Sequence, residues 1–291
     1  MHNETNLYQF HPIKKELICY HNITRCSQKE AVLPYHRHNA CEIYLFIQGN
    51  TRFSIEQCCY QLSPGHLAVI HPNELHRSVC LDEQPYERYG INIKEFLLER
   101  LSSRQTNLSA CFNHPSGTNN LIQLNESQTT RFISLFNKLQ NACHHDRAFG
   151  SDLLIEAELT KLLVFVNRLY ERPVLPSDNL MPVLVKDTMA YIQEHLPNDT
   201  SLNMIAEHFY LNGPYISQQF KKYTGLTIRQ YILDQKIHLA KSLLLDGKNV
   251  SEACQSAGFS DYSNFIRSFT RLTGVSPGKF RRQMSHPDML K

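Results

Sequence analysis

The segment GFSDYSNFIRSFTRLTG, residues 258–274, has the residue spacing of an amphipathic helix. Its apolar side chains recur at steps of three and four, and we expect the face that they form to be buried. That face consists of Tyr262, Phe265, Ile266, Phe269 and Leu272. The opposite face is polar and consists of Ser263, Asn264, Arg267 and Arg271. A helix built in this way leaves its polar face available for contact with a partner.

This segment belongs to the second of two similar copies in the C-terminal part of the chain. Phe220 matches Phe269 and Gly225 matches Gly274, in both cases at an offset of 49 residues. Each copy contains a short helix, a tight turn, a second helix and a glycine suited to end that helix. This order predicts two helix-turn-helix units, a motif that places its second helix in the major groove of DNA.

A single long helix is predicted between the two copies, from an N-cap at Thr227 to a stop at Gly247. About twenty residues at 1.5 Å per residue span about 30 Å. The major groove of B-DNA returns to the same face of the duplex about every 34 Å. The spacing therefore predicts that this helix holds the two units over successive major grooves.

The distribution of charge permits a nucleic-acid partner for this part of the chain. Residues 180–291 contain 13 Lys and Arg against 9 Asp and Glu, which is a net charge of +4. The preceding residues contain 17 against 18, which is a net charge of −1. The C-terminal part is thus mildly basic, as nucleic-acid-binding domains commonly are.

The stretch GFSDYSNFIRSFTRLTGVSPGKFRR, residues 258–282, resembles the signature of the AraC family of bacterial transcriptional regulators. The matching positions are Gly258, Phe259, Phe265, Phe269, Gly274, Pro277 and Arg281. Cys254 is a departure, because alanine is usual there. Pro214 is another, at the start of the first reading helix, which is the second helix of the first helix-turn-helix unit. The resemblance implies that residues 181–291 form an AraC-type DNA-binding domain.

The polar helix face supplies the candidate DNA contacts. We expect Ser263, Asn264 and Arg267 to meet base edges, since arginine commonly reads guanine and asparagine can pair with adenine. By the family resemblance, the matching positions of the first copy are Pro214, Ser217 and Gln218. Phosphate contacts, which position the protein without reading sequence, are expected from Lys221, Lys222, Arg271, Lys279, Arg281 and Arg282. Asp261 is placed to cap the second reading helix.

The N-terminal part has the pattern of β-strands. Short apolar runs such as EIYLFIQG (42–49), HLAVIHP (66–72) and YGINI (89–93) are separated by turn signals. PYHRHNACEIYLFIQG, residues 34–49, resembles the first motif of the cupin superfamily through His36, His38 and Glu42. LSPGHLAVIHPNELH, residues 62–76, resembles a looser second motif ending in His76, although Cys80 stands where asparagine is usual. The resemblance implies a cupin-like jelly-roll barrel over residues 1–125.

Three interpretations of His36, His38, Glu42 and His76 are open. They could bind a small-molecule effector without metal, hold a divalent transition metal as in metal-dependent cupins, or only support the fold. Because many AraC-type regulators carry a cupin-like sensor with no known metal, we predict an effector-binding site and no resident cofactor. A divalent transition metal on the same four residues is the alternative.

Residues 126–172 have helical spacing and are predicted to form an antiparallel pair of helices that mediates dimerisation. Proline and small polar residues at 173–180 indicate a linker. The nine cysteines are odd in number and contain no C-x-x-C pair, so we expect reduced thiols. The chain shows no secretion signal and no run of eighteen apolar residues, which favours a cytoplasmic protein with no membrane partner.

The predicted architecture is therefore a multidomain protein of α and β class: a cupin-like barrel, a helical pair and an all-α domain with two helix-turn-helix units. The predicted function is a transcriptional regulator, by preference an activator, that responds to a small molecule such as a carbohydrate. Its partners would be double-stranded promoter DNA, the effector, RNA polymerase and a second copy of the chain. The alternatives are a metal-dependent cupin enzyme, a metal-sensing regulator, or a repressor or architectural DNA binder without effector. No enzymatic activity is expected.

Overall fold

The computed structural model describes residues 5–10, 16–25, 35–145, 148–170, 179–198 and 200–285. The chain divides into two compact units, Met1–Met181 and Pro182–Lys291. Of the predicted linker, 173–180, only the last two residues lie within these ranges.

In the described ranges, the N-terminal unit contains nine strands in two antiparallel sheets. The larger sheet has the order β1-β2-β8-β3-β6-β9 and the smaller has the order β5-β4-β7. The strands are β1 (Thr5–Phe10), β2 (Leu17–Arg25), β3 (Cys41–Gln48), β4 (Thr51–Ile55), β5 (Cys58–Gln61), β6 (His66–Ile70), β7 (His76–Cys80), β8 (Pro85–Ile93) and β9 (Leu121–Gln123). The predicted β-rich, cupin-like N-terminal part is thus confirmed.

Strand β3 lies inside the larger sheet and is buried on both faces, which explains its continuous apolar sequence. Successive side chains of a strand point to opposite faces. Ile43 and Leu45 accordingly pack in a cluster with the helices, whereas Tyr44 and Phe46 pack with Phe53 of the smaller sheet. The second face therefore encloses the interior between the two sheets.

The helices of this unit, among the residues that the structure describes, are α1 (Glu95–Leu101), α2 (Glu126–His144) and α3 (Ser151–Tyr170), with a short 3-10 turn at Ala110–Phe112. Helix α2 begins with a capping box between Asn125 and Gln128. Arg131, near the start of α2, lies 5.1 Å from the ring centroid of Phe165, near the end of α3. The two helices therefore run antiparallel, as predicted, and their apolar stripes cover the larger sheet.

The described part of the C-terminal unit is entirely helical. Its helices are α4 (Val183–His195), α5 (Leu202–Phe209), α6 (Gly213–Thr224), α7 (Ile228–Leu245), α8 (Val250–Ser256), α9 (Tyr262–Thr273) and α10 (Pro277–Ser285). The two predicted helix-turn-helix units are α5–α6 and α8–α9. Both second helices end at a glycine in the left-handed conformation, Gly225 with φ 75° and Gly274 with φ 77°.

Helix α7 connects the two units without interruption. Thr227 caps it and forms a capping box with Gln230, as the sequence predicted for its start. The helix has 18 residues and is therefore about 27 Å long, slightly shorter than expected. It ends sooner because Asp246 occupies the C-cap, one residue before Gly247.

The predicted buried face of α9 is only partly correct. Phe265 and Phe269 are fully buried against α7 and α8, and Ile266 packs against them. Tyr262 and Leu272, in contrast, are 51% and 48% exposed. They lie in the first and last turns of α9, where the helix extends beyond the side chains that cover its middle.

The cysteines follow the expectation of reduced thiols with one exception in the described ranges. Cys19, Cys41, Cys58, Cys59, Cys111, Cys143 and Cys254 are thiols. Cys80, buried at the end of β7, is disulfide-bonded. The expectation was wrong there because bonding depends on how the fold brings two thiols together, which their number and local spacing do not reveal.

Every helix in the described ranges is too short or too polar to cross a bilayer.

Candidate functional site

A cavity of about 140 Å³ lies in the N-terminal unit, and its wall contains all four residues predicted from the cupin-like motifs. These are His36, His38, Glu42 and His76. The remaining lining residues come from β2, β3, β4, β7 and β8, and they are Tyr20, Asn22, Tyr44, Phe53, Ser78, Arg88 and Asn92. The structure therefore brings the predicted residues together at one interior site.

Backbone pairing positions the histidines around Glu42. His36 and His76 form an antiparallel bridge, with N–H···O distances of 3.1 and 2.9 Å. Glu42 is the second residue of β3 and is 4% exposed. Glu42 and His76 belong to different motifs of the sequence, and they meet because β3 and β7 both border the same cavity.

Glu42 is the centre of the polar network in the cavity. Its Oε2 atom lies 3.0 Å from Nε2 of His38 and 3.1 Å from Nε2 of His76. Its Oε1 atom accepts a hydrogen bond of 2.7 Å from the hydroxyl of Tyr20. His76 also places Nδ1 2.9 Å from the carbonyl oxygen of Glu74, so both of its ring nitrogens lie close to oxygen atoms.

The pKa values of Glu42 and His76 move in opposite directions. Burial works to raise the pKa of Glu42, but the hydrogen bonds and charges of His38 and His76 outweigh it and hold the pKa well below its usual value. Burial works to lower the pKa of His76, but the interaction with Glu42 outweighs it and the pKa is raised. The arrangement thus favours an ionised Glu42 beside a protonated His76.

The same residues have the donor set of a metal site. His36, His38 and His76 each offer a ring nitrogen, and these atoms lie within 4.8 Å of one another. Glu42 adds a carboxylate next to two of the imidazoles. Three imidazoles and a carboxylate are ligands that suit divalent transition metals. The residues therefore fit a metal as well as a polar organic ligand.

Sequence reasoning missed the other polar residues of the cavity. Tyr20 and Asn22 alternate along β2, and Arg88 and Asn92 belong to β8. Alternation along a strand could have indicated which side chains share a face. The pairing of Asn22 with Arg88 depends on the register between β2 and β8, which the sequence does not state.

The candidate DNA-contacting residues of α9 lie at its capped start and along its exposed side. The side chain of Asp261 accepts hydrogen bonds from the backbone N–H groups of Ser263 at 2.7 Å and Asn264 at 3.1 Å. This confirms the predicted cap. The predicted contact residues Ser263, Asn264, Arg267 and Arg271 are all exposed.

Helix α6 presents a different set of side chains. Asn212 caps it, and Pro214 stands in its first turn, where no backbone donor is needed. Pro214, Gln218, Lys221 and Lys222 are exposed, and Ser217 is half-buried. The offset of 49 residues makes Tyr215 the counterpart of Asn264, and Tyr215 is 48% exposed. That offset could have identified Tyr215 as a candidate, although an aromatic ring is more typical of a core residue.

One predicted phosphate contact has another role in the structure. Arg281 is half-buried and donates a hydrogen bond of 3.2 Å from Nη2 to the carbonyl oxygen of Gly247. It therefore ties α10 to the end of α7. Lys279 and Arg282 are exposed, as phosphate contacts would have to be.

Comparison with known proteins covers both units. Residues 23–163 match the model of the AraC-like ligand binding domain, and residues 205–283 match that of a helix-turn-helix domain. The regulatory protein PocR from Salmonella typhimurium is 33% identical over 119 residues, 40% of this chain and 38% of PocR. The HTH-type transcriptional activator RhaR from Escherichia coli is 23% identical over 259 residues, 88% of this chain and 90% of RhaR.

Among solved structures, the C-terminal domain of AraT, a response regulator from Geobacillus stearothermophilus, is similar with a TM-score of 0.35. It is 25% identical and the match covers 36% of this chain and 88% of that one. The chain spans less than two-fifths of the length of PocR, whereas it spans most of RhaR.

The fold and the two matched domains define a DNA-binding transcriptional regulator with a ligand-binding domain. The chain belongs to the AraC family of transcriptional regulators.

Proposed function

We propose that this regulator is an activator that binds promoter DNA with both helix-turn-helix units and responds to a small-molecule effector in the cavity of its N-terminal unit. The observation that carries the proposal is the duplicated unit joined by one continuous helix of 18 residues. A connector without a break can hold two reading helices at a fixed separation. The name of RhaR, a transcriptional activator, supports activation rather than repression.

The DNA contacts are proposed on residue type and exposure. Ser263, Asn264 and Arg267 would read bases from α9, and Pro214, Ser217 and Gln218 would face bases from α6. Phosphate contacts are proposed for Lys221, Lys222, Arg271 and Arg281, the last in a weaker role because its guanidinium already binds Gly247. Because the promoter DNA of a bacterial regulator lies in the cytoplasm, we propose that this protein is cytoplasmic.

The effector is proposed to bind among His36, His38, Glu42 and His76. The support is a cavity lined by polar side chains in a domain that matches a ligand-binding model. A carbohydrate fits such a wall, since its hydroxyl groups both donate and accept hydrogen bonds. Effector binding must favour one arrangement of the regulator for any switching to occur.

A homodimer and a contact with RNA polymerase complete the proposal. Leu153 and Leu154 on α3, with Phe149 before it, are exposed apolar residues that a second copy could cover. Two protomers would then address two half-sites of a promoter. An activator acts on RNA polymerase, which would be the remaining partner.

Selection of binding sites from random duplexes, followed by affinity measurements at fixed salt, tests the proposed DNA function. A bidentate arginine contact is worth about 1–3 kcal/mol, so Arg267→Ala should weaken binding roughly 5- to 150-fold and relax preference at one base. Arg282→Ala is the matched control, at an exposed residue predicted to contact phosphate, and it should weaken binding equally on all sequences. Unchanged affinity and preference in Arg267→Ala would remove that residue from the reading surface.

A second candidate function is favoured by the convergence of three imidazoles and Glu42. In that case the regulator would sense a divalent transition metal, or the barrel would be a metal-dependent enzyme attached to a DNA-binding domain. Metal analysis of the purified protein separates these functions from the first. Stoichiometric metal that is lost in His38→Ala, but kept in the control His71→Ala, would favour a metal function. Oxygen uptake by the iron-loaded protein would favour the enzyme.

A further inference from the structure

The polar side chains around the cavity differ in how their hydrogen-bonding groups are satisfied. Tyr20 and His38 hydrogen-bond to Glu42, His76 pairs with the same carboxylate, and the hydroxyl of Ser78 accepts a hydrogen bond of 2.8 Å from Tyr86. The side chain of Asn22 differs from these. It is 1% exposed, and neither its amide oxygen nor its amide nitrogen has a hydrogen-bond partner among the described residues.

A buried amide without a partner destabilises a fold, because the amide loses its hydrogen bonds to water on folding and gains none in return. Native proteins leave few such groups, and each requires an explanation. Asn22 belongs to the wall of the cavity. A molecule in that cavity is therefore the natural source of the missing hydrogen bonds. The amide oxygen of Asn92, at the same wall, also lacks a partner within the described ranges.

The neighbours of Asn22 limit the size of such a molecule. Tyr20 lies two residues before Asn22 on β2 and pairs across the sheet with Gly90 of β8. A Cβ atom at Gly90 would overlap the phenol ring of Tyr20, so the ring lies directly over the glycine. From there the hydroxyl reaches Glu42. The ring thus fills space beside Asn22 that a larger ligand would need.

The volume of the cavity also restricts the ligand to a small size. A cavity of about 150 Å³ in another protein binds one benzene molecule, and this cavity has about 140 Å³. A ligand of roughly six to ten non-hydrogen atoms fits this space, which is smaller than a disaccharide. The amide of asparagine offers both donors and an acceptor. Its complement is a group that also donates and accepts, such as a hydroxyl or a carboxamide.

We infer that Asn22 is a specificity-determining residue of the pocket and recognises a compact molecule of this size through a hydroxyl or carboxamide group. The inference rests on the proposed function of the cavity as the effector site, and it adds the residue that reads the effector and the chemical class that is read.

The first test measures the thermal stability of the full chain without ligand. Asn22→Leu replaces an unpaired amide with an apolar group of similar size, so its Tm should rise by about 2 to 4 °C. The matched control is Asn120→Leu. Asn120 is also buried, but its amide nitrogen donates to the carbonyl of Val69 and to Glu74, both at 2.9 Å, so its replacement should lower the Tm. An equal fall in both variants would overturn the inference, because Asn22 would then be structural.

The second test measures binding of glycerol, erythritol, D-ribose and acetamide to the full chain, with benzene as the apolar control. At least one of the first four should raise the Tm of the natural protein, and its Kd should be at least tenfold weaker in Asn22→Leu. An equal Kd in the variant, a response to benzene alone or no response at all would each overturn the inference.

The proposed function is tested separately by the DNA affinity of the natural protein, measured with and without the molecule that binds. A ligand that binds through Asn22 but leaves the DNA affinity unchanged would contradict the effector role and support the recognition by Asn22. A ligand that changes the DNA affinity equally in the natural protein and in Asn22→Leu would support the effector role and overturn the inference.

Discussion

The contact between Tyr20 and Gly90 predicts that replacing this strand glycine with alanine lowers stability, which is the opposite of the usual effect. Replacing a strand glycine with alanine normally stabilises a protein by about 0.4–1 kcal/mol, because it restricts the unfolded chain. Gly90 does not have a positive φ, so alanine is compatible with its backbone. We nevertheless expect Gly90→Ala to destabilise the N-terminal unit, since the new methyl group would occupy the position of the Tyr20 ring.

The magnitude follows from the hydrogen bond that Tyr20 would lose. If the ring swings away, its 2.7 Å hydrogen bond to the ionised Glu42 breaks. Hydrogen bonds to charged groups contribute about 1.5–3 kcal/mol. After subtraction of the gain from alanine, the net loss is about 1.5 kcal/mol, and the Tm should fall by roughly 3 to 6 °C.

Calorimetry on a double-mutant cycle is the suitable assay. In a Tyr20→Ala background the ring is absent, so adding Gly90→Ala should cost nothing and should recover the ordinary gain of an alanine. The coupling energy between the two positions should therefore be at least about 1 kcal/mol. A Gly90→Ala protein as stable as the natural one, or additive effects in the double variant, would refute the proposed packing of Tyr20 over Gly90.

Three further predictions concern other parts of the chain. Gly258→Ala should lower the free energy of unfolding by about 1–3 kcal/mol, because Gly258 has a φ of 77° and a Cβ there would lie 2.7 Å from the carbonyl oxygen of Pro197. Chemical denaturation measures this change, and an unchanged midpoint would contradict it. Asp261→Ala should cost about 1 kcal/mol and weaken DNA binding through the frayed start of α9, and Asp261→Asn, which keeps the cap, should recover most of both. In metal-free buffer, the contribution of His76 to stability is fully present below its unfolded pKa and is lost as the pH rises through its raised folded pKa. A pH titration of the Tm should therefore show a decline above about pH 6.5, and His76→Gln should abolish that decline. The contribution of Glu42 has the opposite sense: it is fully present above its unfolded pKa and is lost as the pH falls through its lowered folded pKa. The stability maximum is therefore expected at weakly acidic pH, between about 4.5 and 6.5.

The sequence predicted the positions of the helices more completely than the burial of their first and last turns. The periodicity of residues 258–274 identified Phe265 and Phe269 as core residues, because a helical repeat fixes the direction in which each side chain points. It could not indicate that Tyr262 and Leu272 lie beyond the covering helices, since that depends on where α7 and α8 pass. The spacing of residues gives the direction of each side chain around the helix axis, but it does not show how much of the helix is covered by neighbouring helices.

The cavity shows the same limit at a functional site. His36, His38, Glu42 and His76 were predictable because their spacing resembles a known motif. Asn22 carries no motif and enters the wall through the pairing of β2 with β8. Contacts between distant strands depend on register, and a shift of one residue would turn every side chain of a strand to the other face.

The hydrogen bond from Arg281 to Gly247 was unpredictable for a related reason. An arginine in a basic segment resembles a phosphate contact until the fold shows which carbonyl group lies beside it.

The proposed DNA binding requires that the two matched reading helices, joined by α7, contact one duplex a helical turn apart. Hydroxyl-radical footprinting of the full chain on a selected site measures this arrangement. Each protomer should protect two patches on the same face of the DNA, separated by about 10–10.5 base pairs. A single protected patch for each protomer, or two patches on opposite faces of the duplex, would contradict this arrangement of the two reading helices.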